Sequence, residues 1–110
     1  GEVKAEQLLV SDLAGEPDKE VNIQVYTFPP GASVPWHIHP DAQEFDYELD
    51  GALTLQTDGQ ASKVLKRGEA VYVQPNVVHR GVNISRTQAA RILVVRVKPK
   101  GKPLTTEVQP

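Results

Sequence analysis

Turn signals interrupt this chain so often that a helix of ordinary length has nowhere to form. Pro29-Pro30-Gly31, Asp50-Gly51, Asp58-Gly59, Arg67-Gly68 and Gln74-Pro75-Asn76 each combine residues that stop regular structure or tolerate a left-handed backbone. Between these breaks apolar and polar residues alternate, as in Val21-Asn22-Ile23-Gln24-Val25 and Leu53-Thr54-Leu55-Gln56-Thr57. That is the period of a strand, whose side chains point to opposite faces in turn. Nothing between Val21 and Pro99 sustains the helical period.

Strands are predicted over residues 21–25, 34–39, 44–50, 53–57, 63–66, 70–73, around His79 and over 89–98. Asp58-Gly59 is the clearest hairpin signal. Strands recurring about every 8 to 12 residues with such turns predict an all-β sandwich or barrel. Leu8, Leu9, Val10 and Leu13 predict a further strand or an arm lying against a partner. The tail, 100–110, with Pro103 and Pro110, is expected to be frayed or laid across a neighbouring subunit.

A chain of 110 residues predicts one domain over 1–110. Its 39% hydrophobic and 24% charged content is that of a globular protein, and a net charge of -2 gives no global electrostatic case for nucleic acid or an anionic membrane. The longest apolar run, Ile92-Leu93-Val94-Val95, has strand length, far below the roughly 18 residues that span a bilayer. Cysteine is absent, which excludes disulfides, thiolate metal sites and cysteine nucleophiles. The chain opens on Gly1 rather than methionine. A trimmed export leader and a cleaved tag would both leave such an end; export is the expectation carried forward.

Chemistry is concentrated in one pattern. All three histidines fall in it, as Gly31-x5-His37-x-His39-x4-Glu44-x6-Gly51 and Gly68-x10-His79-x3-Asn83. His37 and His39, two apart on an extended segment, project from one face. Three imidazoles and a carboxylate make a ligand set for a divalent transition metal. Other active sites have no such support: no serine elbow and no glycine-rich loop opening a helix is present.

The same residues resemble the cupin superfamily. Its first motif, G(X)5HXH(X)3-4E(X)6G, is met at every fixed position by Gly31, His37, His39, Glu44 and Gly51. The second, G(X)5PXG(X)2H(X)3N, is met in spacing by Gly68, His79 and Asn83. Gln74 stands where proline is usual and Asn76 where glycine is. The resemblance implies a double-stranded β-helix (cupin jelly-roll barrel) with a motif core at 31–83 and flanking arms at 1–13 and 100–110. A metal at its open mouth would be held by His37, His39, Glu44 and His79, and iron, manganese, nickel, copper, cobalt or zinc would all suit these donors.

The chain looks like the quercetin dioxygenase-like branch of small cupins, which hosts oxygenases, isomerases and lyases. The function implied is a mononuclear metal centre that coordinates and activates a small oxygen-containing substrate, with Glu44 as ligand or mobile base. A non-catalytic binding module and a purely structural metal are the alternatives.

The strand after Glu44 is unusual. If Glu44 points inward, alternation turns Asp46, Glu48 and Asp50 inward and Phe45, Tyr47 and Leu49 outward. Unpartnered buried carboxylates are costly. A bulge could flip the register, Asp46 and Glu48 could pair with Arg or Lys, or they could line a polar pocket. In the last case Asp46 is a candidate catalytic base or substrate hydrogen-bond acceptor. The outward apolar residues predict a homodimer interface, unless the amino-terminal arm covers them. Trp36 is expected to pack in the core or an interface, and Tyr26, Phe28 and Tyr72 are expected to be core residues. Arg80, Lys98, Lys100 and Lys102 are expected to be solvated.

Overall fold

The computed structural model describes Gly1–Pro110 and contains ten strands and no helix. They are β1 (Lys4–Leu13), β2 (Glu16–Phe28), β3 (His37–Ile38), β4 (Gln43–Asp50), β5 (Ala52–Thr57), β6 (Lys63–Lys66), β7 (Ala70–Val73), β8 (His79–Val82), β9 (Ala90–Pro99) and β10 (Thr106–Glu107). Two antiparallel five-stranded sheets result, in the orders β1-β2-β9-β4-β7 and β10-β3-β8-β5-β6. This is the predicted all-β double-stranded β-helix. No helix is long and apolar enough to cross a membrane.

The first sheet is chemically graded along its inner face. Directly opposed residues share a face, so register sorts its side chains into layers. Ala90 faces Phe28, and Ile92 stands between Tyr26 and Glu48. Val94 stands between Gln24 and Asp46, and Arg96 between Asn22 and Glu44. The apolar end merges with the core cluster of Phe28, Leu53, Leu65, Ala90, Ile92 and Val94. The opposite end is polar, and on the outer face Phe45, Tyr47 and Tyr72 are exposed.

Two motif residues act as fasteners. Gly51 has φ 67° and a side chain there would collide with the Ala89 carbonyl oxygen, so only glycine fits. Asn83, 1% exposed, donates to the carbonyls of Phe28, Pro29 and Gln88 at 3.0, 3.2 and 2.8 Å and accepts from the Ser85 N–H at 3.0 Å. It ties the end of β2 to the β8–β9 connection.

Three expectations need correction. Within 34–39 only His37–Ile38 forms regular strand, since Pro35 offers no N–H to a ladder. The amino-terminal segment is a strand, but β2 and β9 separate it from β4, so it does not cover Phe45 and Tyr47. The tail is neither frayed nor laid on a neighbour: β10 pairs with β3 of its own chain.

The acidic run keeps its register. Glu44, Asp46 and Glu48 are all buried, and the irregularity lies later, between Glu48 and Asp50, where it leaves Asp50 exposed. No lysine or arginine pairs with Asp46 or Glu48. Glu48 is 0% exposed, both its carboxylate oxygens lack partners, and burial, then the nearby Asp50 charge, push its pKa up to about 8. Such a group takes up a proton on folding and gives it back to solvent on unfolding when the pH lies between its unfolded and folded values. Stability should therefore fall as pH rises from about 4.5 to about 8. Glu48→Gln is expected to flatten this part of the curve and to raise the melting temperature most at pH 8. Parallel pH–stability curves for the two proteins would refute this origin.

Candidate metal centre

β3, the following loop and β8 bring the three histidines together. His37 and His79 are directly opposed residues of β3 and β8, and the ligating nitrogens of His37, His39 and His79 lie within 4.8 Å of one another. Each ring is held through its other nitrogen. Nδ1 of His37 faces the Pro35 carbonyl at 2.7 Å, that of His79 the Val77 carbonyl at 2.7 Å, and that of His39 the Leu104 carbonyl at 2.8 Å. A carbonyl only accepts, so these contacts assign the proton to Nδ1 and leave a lone pair on Nε2.

The consequence is electrostatic. Nε2 of His37 and Nε2 of His39 face each other at 3.1 Å, so two lone pairs point into the same space. A ring proton could bridge them only if one ring were charged. Burial opposes that: it lowers the pKa of His37, where the nearby His79 adds to it, and takes His39 to about 3 with help from Arg96. A divalent cation between the nitrogens turns this repulsion into coordination. The donor set therefore fits a transition metal, and the carbonyl contacts are the outer hydrogen bonds that orient metal-binding imidazoles.

Glu44 borders the histidine cluster on the side of His39 and His79. One carboxylate oxygen lies 3.1 Å from Nε2 of His39 and the other 3.9 Å from Nε2 of His79. Burial works against its ionisation, but Arg96, then His39 and a hydrogen bond with Asp46, outweigh burial and hold its pKa well below the ordinary carboxylate range. The Nε of Arg96 donates to Glu44 at 2.7 Å and its Nη1 to Gln24 at 2.7 Å, with the Tyr26 hydroxyl 3.3 Å away. Asp46 shows the opposite behaviour. Burial first, then the Glu44 charge, raise its pKa far above the ordinary value, and its Oδ1 has no partner.

Asp46 and His79 also line a cavity of about 260 Å³ between the two sheets at their β6 and β7 edges. Val71 and Val73 form one wall, Leu55 and Thr57 the other, and Gln60, Lys63 and Gln74 contribute polar groups. Lys63 pairs in register with Leu55, so it faces inward.

All five residues singled out in the sequence, His37, His39, Glu44, Asp46 and His79, thus converge. Arg96 was not singled out, although its parity with Ile92 and Val94 on one strand is a readable signal that it points inward, toward carboxylates. Tyr26 touches Arg96 instead of only filling core, and Tyr72 is exposed. Lys98 is buried against Glu20 at 3.6 Å rather than solvated. Arg80 lies over the Trp36 ring at 4.8 Å and donates to Gln56, away from the histidines. Asn76, at the position where glycine is usual, has φ 65°, a left-handed conformation that asparagine tolerates.

Comparison with known proteins agrees with this geometry. The cupin domain model matches residues 24–96. Germin-like protein 3-5 of Oryza sativa subsp. japonica is 30% identical over 94 residues, which cover 79% of this chain and 41% of that protein. The chain thus spans about two fifths of the length of the curated relatives it matches. Among solved structures, a Klebsiella pneumoniae subsp. pneumoniae protein with a double-stranded β-helix domain superposes with a TM-score of 0.77 at 20% identity, covering 100% of this chain and 87% of that one. An oxalate oxidase in complex with the substrate analogue glycolate superposes with a TM-score of 0.72 at 25% identity, covering 96% of this chain and 55% of that one. With the family model running across both histidine-bearing segments and the two-sheet barrel shared, the chain belongs to the cupin domain family.

Proposed function

We propose that this protein, as one domain over residues 1–110, binds one divalent transition metal through His37, His39, His79 and Glu44 and activates a small oxygen-containing molecule beside it. The observation that carries this reading is the 3.1 Å approach of two Nε2 atoms whose Nδ1 partners are both carbonyl oxygens. The bound metal would act as a Lewis acid toward an oxygen of the ligand.

The chain's own residues divide the remaining work. Arg96 pins Glu44 at 2.7 Å, which favours Glu44 as a fixed ligand over a base that swings away. Burial and then the Glu44 charge raise the pKa of Asp46 well above the ordinary value, which suits it to donate a hydrogen bond to a ligand oxygen beside the metal. The 260 Å³ cavity gives the ligand room, equal to roughly nine waters. Lys63, its one lysine or arginine, favours an anionic oxygen group. The glycolate held by the related oxalate oxidase is a molecule of this kind, small enough to leave much of the cavity unfilled. A dioxygenase-like reaction on such a compound is the activity to screen, by oxygen uptake. The exposed Phe45, Tyr47 and Tyr72, with the Phe45 and Tyr72 rings tilted against each other at 5.2 Å between centroids, supply a homodimer face.

Three measurements test the reading. Protein purified without chelating resin should contain close to one transition metal per chain. Metal at a hundredfold excess over its dissociation constant should add about 2.7 kcal/mol, on the order of ten degrees in melting temperature. His37→Ala should abolish that shift; an unchanged response would remove the metal site as proposed.

Arg96→Met should cost about 3–5 kcal/mol in urea unfolding of metal-free protein, because Glu44 is left buried and unpaired. Added metal should recover part of the loss, since a cation again faces Glu44. A metal-free loss below about 1 kcal/mol would contradict this pairing.

Sedimentation should give a dimer for the native chain and a monomer for Tyr47→Arg. A native monomer at micromolar concentration rejects the interface.

A further inference from the structure

Two of the three histidines are oriented by carbonyls two residues before them in the chain, and the third is not. His37 uses Pro35 and His79 uses Val77, whereas His39 depends on Leu104, 65 residues away in the carboxy-terminal segment. We propose that residues 100–110 are a strap that positions His39 for the metal, with the Leu104 carbonyl as the positioning group. The proposal rests on the metal reading above and adds that the site is assembled only when the strap is docked.

The strap follows the metal-bearing segment closely. Its start is fixed by the Lys100 N–H donating to the Asp18 carbonyl at 2.8 Å. Thr106 and Glu107 then pair with Ile38 and His37, and the Val108 N–H donates to the Trp36 carbonyl at 3.1 Å. The Thr105 hydroxyl sits 3.2 Å from the same Nδ1 of His39. A clasp joins this strap to both metal-bearing loops. Lys102 pairs with Asp41, and Asp41 exchanges two hydrogen bonds with Asn76, each 3.0 Å. Asp41 lies between His39 and Glu44, and Asn76 precedes His79 by three positions. Both residues have positive φ, 54° and 65°, so the contact joins two loops that each carry a left-handed residue.

The strap's own hold is weak. Only Leu104 and Val108 are partly buried among residues 101–110, so little apolar surface opposes its release, and the exposed Lys102–Asp41 pair adds little. Release removes the acceptor that keeps the proton on Nδ1 of His39, freeing that ring to turn or to place its proton on the ligating nitrogen. Coupling of this kind is reciprocal: an undocked strap weakens metal binding, and bound metal fastens the strap.

The test uses full-length protein carrying Lys102→Ala and Val108→Pro, which break the clasp and the bond to Trp36, and a second variant ending at Pro103. Cobalt(II) titration by calorimetry should show affinity reduced about 10- to 100-fold in both, the range typical for loss of an outer contact to a metal-binding histidine. Nitrogen NMR of the metal-free proteins should show His39 losing its Nδ1–H form while His37 and His79 keep theirs, a change that general loosening would not confine to one ring. Cobalt should also slow hydrogen exchange of the Val108 amide in the native chain. Cobalt affinity within twofold of native in the full-length variant, or an unchanged His39 tautomer, overturns the proposal. If the native chain binds no cobalt, the metal reading fails by itself, and the His39 tautomer still decides whether the strap positions that ring.

Discussion

The contact between Arg96 and Glu44, 2.7 Å across β9 and β4, governs how the inner face of the larger sheet can be polar at all. A buried guanidinium and a buried carboxylate each carry a desolvation cost that only the other, with further hydrogen bonds, can offset. Gln24 and Tyr26 supply those bonds on the arginine side, and the imidazoles stand on the carboxylate side. Fixing Glu44 in its ionised form also determines its neighbour's state. Two adjacent buried carboxyls oppose each other's ionisation, so burial and then the Glu44 charge push the pKa of Asp46 well above its ordinary value. The ion pair thereby divides roles between two chemically identical groups two residues apart.

Much of this was legible in the residues. Glycine and proline at the turns announced the strands, because few other residues permit those backbone angles, and the histidine spacing on one strand face announced the cluster. Alternation after Glu44, set beside a register flip as the alternative, holds for Asp46 and Glu48 and fails at Asp50, where the irregularity intervenes. Contacts between elements distant in sequence were less accessible. Arg96 lies 52 residues from Glu44, and strand parity with Ile92 and Val94 could turn it inward without naming its partner. Lys98 was misread for the same reason. The tail was misjudged because its anchoring is almost entirely backbone hydrogen bonding, which leaves little trace in side-chain identity.

Within the larger sheet, β4 inverts the usual arrangement of a β-sandwich, in which inner faces are apolar. Over β4 the inward residues are Glu44, Asp46 and Glu48, and the outward ones are Phe45 and Tyr47. Phe45 stands opposite Val95 and Tyr47 opposite Leu93, so the apolar outer surface extends onto β9. Carboxyl groups inside and apolar groups outside are thus carried on alternate residues of the same strands. A shift of register by one position would exchange the two faces and destroy both. The bulge between Glu48 and Asp50 falls just beyond this stretch, where it can end the pattern without scrambling it.

The graded interior also partitions its free space. Leu53 and Leu65, 2% and 0% exposed, close one end of the barrel with packed hydrocarbon, while the cavity beside Asp46 and His79 opens at the side, where Gln60, Lys63 and Gln74 stand. His37, His39, Glu44, Asp46 and His79 also line a second, smaller hollow of about 50 Å³ beside Arg96 and Tyr26. Asp46 and His79 thus belong to both hollows, so a large group and a small one have separate places beside the same two side chains.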